Sequence, residues 1–386
     1  MQINPFKLER YFARYEFNVK YLLSPSDCES MPMSELLQMA DPASLSLWNE
    51  LRLGYTESPG HPLLRAEAAC LYQTIDADHV MIAAPEEAIF IAMHTLLKPG
   101  DHIVSVFPAY QSLYEIARAI GCEVTPWTFE LGPSGWRLDL DHLEGLLTDH
   151  TRLLVLNFPH NPTGYLPSRS ELDSIVEAAR KRGLYIFCDE MYRFLEYDPA
   201  RRLPAMCDLY EKGISLSGLS KSFALPGLRL GWLATQERAL LERWLTFKDY
   251  TTICHSAPSE ILGIMALRAK EGIVARNLGI IQGNLKIAER FFAEHADWLA
   301  WIEPQAGPIT FPRWTGDISV EQFCQAVLEQ QSVMIVPGSL FDFPGNHFRL
   351  GLGRKNLGEA LERVGACLSS FGGGAILRIA GDYFLV

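Results

Sequence analysis

Lys221 sits in the run Ser215-Leu-Ser-Gly-Leu-Ser-Lys-Ser-Phe-Ala-Leu-Pro-Gly-Leu-Arg-Leu-Gly-Trp-Leu233, among small hydroxyl residues, with Arg229 eight positions further on. Leu219, Phe223 and Leu225 flank the lysine with apolar side chains, which implies a buried segment, and a buried lysine needs a chemical reason. Pro226-Gly227 in the middle of a turn suits a type II reversal that brings the two cations near each other. Such a pair fits an anion such as phosphate, or a carbonyl compound that the lysine amine captures as a Schiff base. The plain alternative is a solvated loop lysine and an arginine at a strand end.

Other polar groups stand where apolar runs stop. Asp189 closes Leu184-Tyr-Ile-Phe-Cys188, and a carboxylate there is costly to bury unless it meets a cation or hydrogen-bond donors. An N-cap or an ordinary ion pair explains it equally well. Tyr192 follows three residues later, and Asn161 lies in the turn Asn157-Phe-Pro-His-Asn-Pro-Thr-Gly164, where Asn before Pro is a common turn former. Tyr110 follows the run Ile103–Val106, a place where an aromatic is most often core. Arg349 alternates with Phe348 and Leu350 in a short strand and so faces the opposite way. A surface ion pair is the bland reading of that arginine.

The elements that must position these groups alternate. Val80–Ala83, Ile103–Phe107, Glu123–Trp127, Leu153–Phe158, Tyr185–Cys188, Ile214–Ser217 and Leu230–Ala234 read as strands, and Ala88–Leu97, Ser112–Ile120, Leu138–Leu147 and Ser170–Arg182 as helices. Strands apolar at every position and separated by helices indicate an α/β chain with a mainly parallel sheet covered on both faces. Ligands of such sheets gather at the carboxyl ends of the strands. A helix to about Tyr250 and a long helical stretch from Pro258 to about His295, with a break expected near Gly279 and Gly283, lead into a second alternating segment, the content of a smaller α+β domain. Residues 1–43 read as an arm that packs on something else and could line a pocket. Gly54–Arg65 reads as a loop opening a helix, with Tyr55 a packing residue by composition. Gly372–Val386 follows a triple glycine and is an added strand, an oligomer contact or an untidy terminus.

The bulk properties narrow the function. A chain of 386 residues suits two linked domains. It is 48% hydrophobic and 21% charged, an ordinary composition for a globular enzyme. Lys and Arg number 34 against 46 Asp and Glu, a net charge of −12, and no basic block stands out, so no nucleic-acid or membrane partner is expected. The charged N-terminus suits neither a signal peptide nor a span, and a cytoplasmic location is expected. Eight scattered cysteines without a Cys-x-x-Cys pair read as free thiols, with no metal site.

Taken together, Ser220-Lys221, Pro226-Gly-Leu-Arg-Leu-Gly-Trp232, Asn161-Pro-Thr-Gly164 and Asp189-Glu-Met-Tyr192 resemble the motifs of the class I/II aminotransferases, fold-type-I enzymes that depend on pyridoxal 5'-phosphate (PLP). The resemblance spans roughly residues 45 to 370, through six elements in order. It implies a large PLP-binding domain at 44–272 and a small domain made of 273–386 with the N-terminal arm 1–43. It also implies a homodimer whose sites are shared across the interface.

The same resemblance implies roles for individual residues. Lys221 carries the cofactor and moves the proton, while Asp189 faces the pyridine nitrogen. Tyr110 stacks on the ring, and Asn161 and Tyr192 meet the phenolic oxygen, with Asn161 also bordering the substrate. Ser220 and Arg229 bind the phosphate, and Tyr55 reaches the partner's phosphate. Arg349 grips the substrate carboxylate with its planar fork.

Two departures concern the phosphate. The family usually has small residues and a hydroxyl where this chain has Ala83-Ala-Pro-Glu-Glu-Ala88, and often a Ser where it has Gly218. The carboxylates of Glu86 and Glu87 are expected to turn outward and complement the helix dipole, leaving their N–H groups for the anion. The implied activity is transfer of an amino group from an amino acid to a 2-oxo acid. A PLP lyase, cyclase or decarboxylase shares Lys221, Asp189 and Arg229, and the Leu225–Trp232 variant is similar to that of PLP enzymes of arginine-derived antibiotic pathways, which eliminate and cyclise. A non-catalytic PLP-binding regulator is a rival of another class. The amino acid itself is not legible.

Overall fold

A computed structural model describes residues 2–132 and 135–372. Seven strands form the central sheet in the spatial order Val80–Ala83, Gly231–Thr235, Gly213–Gly218, Tyr185–Asp189, Thr151–Asn157, His102–Phe107, Glu123–Thr128. The last five run parallel to one another. Gly231–Thr235 is antiparallel to both of its neighbours. The expected mainly parallel sheet is therefore present.

Successive strand residues point to opposite faces, and both faces are apolar. On one side Val104, Leu154, Leu156 and Ile186 pack with Leu172 and Ile175 of the helix Arg169–Arg182. On the other, Ile103, Val155, Phe187 and Leu216 pack with Ile89 and Met93 of the helix Pro85–Leu96 and with Trp244. Helix Arg169–Arg182 shows why these elements start and stop where they do. Ser168 and Glu171 form a reciprocal capping box at its start, and Gly183 at φ 64° ends it.

A second cluster holds Trp314, Phe323, Phe348 and Leu350. Helices Val320–Gln331 and Leu357–Gly372 enclose it, with a small antiparallel sheet of Ile309–Thr310, Phe348–Gly351 and Val336–Pro337. The N-terminal arm joins this cluster, because Tyr21–Leu22 pairs in parallel with Val333–Met334. Ahead of that strand, helix Lys7–Tyr15 lies over Tyr110 and Gln111, with Gln111 Oε1 accepting from the Lys7 backbone N–H at 2.8 Å.

Two local expectations are corrected. The long helical stretch divides at Ala269, between Ala257–Arg268 and Lys270–Glu294, and Gly279 and Gly283 lie inside the second helix. Each glycine costs a helix about 1 kcal/mol against alanine. A Cβ at either would meet nothing within 4 Å. These glycines therefore face open space, while Ile281, Leu285 and Phe292 bury the other side and hold the helix together. The turn at 226–228 is 3-10 helical rather than type II. Left-handed residues on either side, Ala224 at φ 54° and Arg229 at φ 53°, make the reversal instead. No helix among the described residues is long and apolar enough to cross a membrane. The segment after the triple glycine lies outside the described residues.

Candidate active site

The carboxyl ends of four parallel strands converge at one rim. Tyr110 follows His102–Phe107, Asn161 follows Thr151–Asn157, Asp189 ends Tyr185–Asp189, and Ser220 and Lys221 follow Gly213–Gly218. Arg229 precedes the antiparallel strand Gly231–Thr235 and so arrives at the same edge. Glu86 follows Val80–Ala83, antiparallel to that strand, and joins them.

Gly218 belongs to the way this edge is packed. It pairs with Gly231, and a Cβ on Gly218 would stand 2.9 Å from the Gly231 Cα and 3.0 Å from the Leu230 oxygen. A serine here would collide with backbone. The departure from the family pattern is thus a steric requirement of two strands held close together.

Lys221 is partly buried, and its Nζ donates to Ser26 Oγ at 2.9 Å. Burial lowers the amine's pKa; Asp27 opposes that shift, Arg349 adds to it, and Glu9 and Asp189 oppose it. Asp189 is buried, its Oδ1 accepting from the Met191 N–H at 3.0 Å. Desolvation pushes its carboxyl up to about 6, although that hydrogen bond and Lys221 pull the other way. The Asn157 amide fixes the strand end by donating to the Asp189 carbonyl at 2.9 Å, and its Oδ1 accepts from the Asn161 N–H at 2.8 Å.

Arg349, only 1% exposed, comes from the small sheet. Its Nε and Nη2 donate to the Ser24 carbonyl at 3.2 and 2.9 Å, and its Nη1 to Asn161 Oδ1 at 3.1 Å. The Tyr192 hydroxyl is buried with Ser26 beside it, and Ser220 Oγ is buried too; neither has a well-formed hydrogen bond among the described residues. Burial raises the Tyr192 pKa, so the phenol stays protonated. The Tyr110 hydroxyl donates to Glu9 Oε1 at 2.8 Å, and its ring lies 4.9 Å from that of Phe6. Behind the rim His160 bridges Thr163 and the Pro108 carbonyl, and burial lowers its pKa to about 3, so it serves as a neutral brace.

The phosphate elements divide. Helix Pro85–Leu96 starts without a side-chain cap, so the N–H groups of its first turn remain available at the rim. Glu87 turns away and accepts from the hydroxyls of Thr251 and Thr252 at 2.6 and 2.8 Å. Glu86 does not turn away, which corrects the expectation. Its charged neighbours are Glu9, Asp189 and Arg229, and burial pushes its carboxyl up to about 7. A carboxyl at about 7 is roughly half protonated at neutral pH, which removes part of its repulsion of an anion. Arg229 is exposed and its Nη1 donates to the Pro226 carbonyl at 3.0 Å. Tyr55 is 92% exposed and stands apart from the group within one chain.

Ser24, Ser26, Asp27 and Glu9 were not singled out by sequence reasoning, although the arm 1–43 that carries them was expected to be able to line a pocket. Their only signal was membership of an arm too poor in periodic apolar residues to form its own core.

The fold and this rim define a fold-type-I enzyme of the PLP-dependent kind. The family model for aminotransferase class I and II matches residues 33–364, and the chain belongs to that family. Capreomycidine synthase from Streptomyces vinaceus is 29% identical over 365 residues, covering 94% of this chain and 92% of the relative. Among solved structures, a PLP-dependent aminotransferase from Streptococcus suis is 28% identical, with a TM-score of 0.88 over 96% of this chain and 98% of that one. The PLP-dependent cyclase OrfR is 27% identical, with a TM-score of 0.86 over 96% and 97% of the two chains.

Proposed function

We propose that this chain is a PLP-dependent aminotransferase that moves an amino group from an amino acid to a 2-oxo acid. The carrying observation is the convergence of Lys221, Asp189, Asn161 and Arg349 at one sheet edge, beside buried Tyr192 and Ser220 hydroxyls without a well-formed hydrogen bond among the described residues. Those hydroxyls and a buried carboxyl raised to about 6 are groups suited to a polar, cationic ring system.

In this reading Lys221 would hold the cofactor through its aldehyde, and Asp189 would face its ring nitrogen. Tyr110 would cover the ring face, and Asn161 and Tyr192 would meet its phenolic oxygen. Ser220, Arg229 and the first-turn N–H groups of Glu86 and Glu87 take the phosphate. Tyr55 contributes to the site of a second copy in a homodimer, which accounts for its exposure. The reading divides the chain into a cofactor-binding domain, 44–272, and a second domain of 1–43 and 273–386. When bound, PLP supplies an electron sink for a carbanion at the substrate Cα.

The chain's own residues do the rest. Arg349 grips the substrate carboxylate with the fork that Ser24 and Asn161 orient. Lys221 Nζ, kept less basic by burial, takes the Cα proton and later gives it up again. Asp189 becomes fully ionised once a cation faces it. The Tyr192 phenol, protonated throughout, donates its hydrogen bond.

A second reading, a lyase or cyclase of the same fold, is supported by the likeness to capreomycidine synthase and to the OrfR cyclase over nearly the whole chain. One experiment separates the two. Purified protein loaded with PLP is scanned for visible absorbance and mixed with amino acids in the absence of any 2-oxo acid. Conversion that stops after one half-turnover identifies a transaminase and its donor. Absorbance that persists while product accumulates identifies the lyase or cyclase, and no visible absorbance refutes both.

A further inference from the structure

Within the proposed reading, Lys221 must hold its amine in place while that amine is free of the cofactor. Lys221 Nζ makes one side-chain hydrogen bond among the described residues, to Ser26 Oγ at 2.9 Å. Ser26 is 9% exposed, and its hydroxyl also lies beside the Tyr192 phenol, whose pKa it lowers, so it stands between two groups of the rim. The hydroxyl thus does nothing for its own segment.

Backbone contacts hold that segment. The Leu23 N–H donates to the Met334 carbonyl at 3.1 Å, and the Leu23 carbonyl accepts from the Gly351 N–H at 2.6 Å. Further on, the Glu29 N–H donates to the Gly353 carbonyl at 2.8 Å. The approach is so close that a Cβ on Gly351 would stand 2.4 Å from the Pro25 oxygen, and one on Gly353 2.3 Å from the Asp27 oxygen. Asp27 is tied to Arg354 at 3.1 Å, and the Ser24 carbonyl takes two donors of Arg349.

We propose that Ser26 is a catalytic residue that orients the free amine of Lys221, and that the rigid segment 24–27 fixes that amine relative to the carboxylate fork of Arg349. When Nζ takes the Cα proton it becomes an ammonium, and Ser26 Oγ accepts a hydrogen bond from one of its N–H groups. When the proton leaves, the neutral amine returns. Ser26 remains a hydroxyl throughout, neither gaining nor losing a proton. An acceptor on the ammonium favours the charged form, which offsets part of what burial and Arg349 do to this amine. The serine therefore keeps the lysine basic enough to take the proton.

Ser26→Ala and Ser26→Thr test this in the full chain. The first readout needs no turnover. In the cofactor-free protein the Lys221 amine is titrated by NMR of labelled lysine, assigned with Lys221→Arg. Ser26→Ala should lower its pKa by about one unit, while Ser26→Thr stays near the parent. An unchanged titration overturns the proposal. The second readout is exchange of the Cα proton for deuterium by the PLP-loaded enzyme, with each of the twenty common L-amino acids in heavy water. This step is shared by transaminase, lyase and cyclase. Ser26→Ala should slow exchange by about 10- to 100-fold at saturating amino acid, with little change in the saturating concentration, and Ser26→Thr should restore it. Unchanged exchange, or a loss confined to the saturating concentration, also overturns it. If the parent enzyme exchanges none of the amino acids while the titration still shifts, the proposed function fails and the placement of Ser26 stands.

Discussion

Two lysines are withdrawn from water in this molecule, and burial lowers the pKa of both. Their surroundings differ. Lys248, at the end of helix Arg238–Lys248, is 0% exposed, and its Nζ is spent on the Ser58 carbonyl. Glu87 and Glu260 are the first of its charged neighbours, and the Glu260 carboxylate also holds the His61 N–H at 3.3 Å. This lysine staples the 54–61 loop to two helices. Lys221 keeps partial access, bonds to a hydroxyl rather than a carbonyl, and shares its surroundings with the cation Arg349. Burial and lowered basicity thus do not by themselves mark a reactive amine. What sets Lys221 apart is its access to the rim and a neighbouring hydroxyl that can release the amine.

The contrast breaks first at Lys221. Lys221→Ala should leave the fold intact and cut turnover by at least about 1,000-fold, measured on PLP-loaded protein. Turnover near that of the parent would mean that the reactive amine has been misassigned. Lys248→Met should do the reverse. Urea unfolding should show a loss of about 3 kcal/mol, from a carbonyl without its donor and carboxylates without their cation, while the visible absorbance with PLP persists. A stable variant that cannot take up PLP would erase the distinction between the two lysines.

The smallest effect sharpens the carboxylate side. Asp189 rises from 3.8 unfolded to about 6 folded, so the folded chain holds more protons across that interval. Stability of the cofactor-free protein should therefore fall as pH rises from about 4 to about 6 and stay lower above it. Glu86 and Glu190, each raised to about 7, extend the decline towards neutrality. Asp189→Asn should flatten the lower part of that slope in thermal melts at stepped pH. An identical slope in the variant would show that Asp189 is ionised without penalty in the folded chain.

Local pattern was enough to find the sheet and its rim. Unbroken apolar runs such as Val80–Ala83 and Leu153–Leu156 are buried at every position, and the polar residues that follow them stand where a parallel sheet gathers its ligands. Lys221, Asp189 and Asn161 were legible because each terminates or follows such a run. Ser24 and Ser26 were not, because their partners are far away in sequence and a serine among serines carries no periodic mark. The inward turn of Glu86 was missed for a different reason. Helix-dipole logic places acids at an N-terminus but does not say which face they take, and here the neighbouring position, Glu87, had already claimed the two threonines. The helix break went unrecognised at Ala269 because glycine's propensity is a weak signal against a buried apolar face.

The grip of the Ser24 carbonyl on Arg349 joins groups 325 residues apart, and that of Ser26 on Lys221 joins groups 195 apart. During synthesis the arm emerges long before the strands it docks on, Val333–Met334 and Phe348–Gly351. Lys221 and Asp189 can take up their places on the sheet well before those strands exist. Contacts so distant close late, since chain entropy is lost before they return anything. The nascent protein thus carries an unaligned amine until those strands are made, and under the proposed function the ability to act on an amino acid comes only after them.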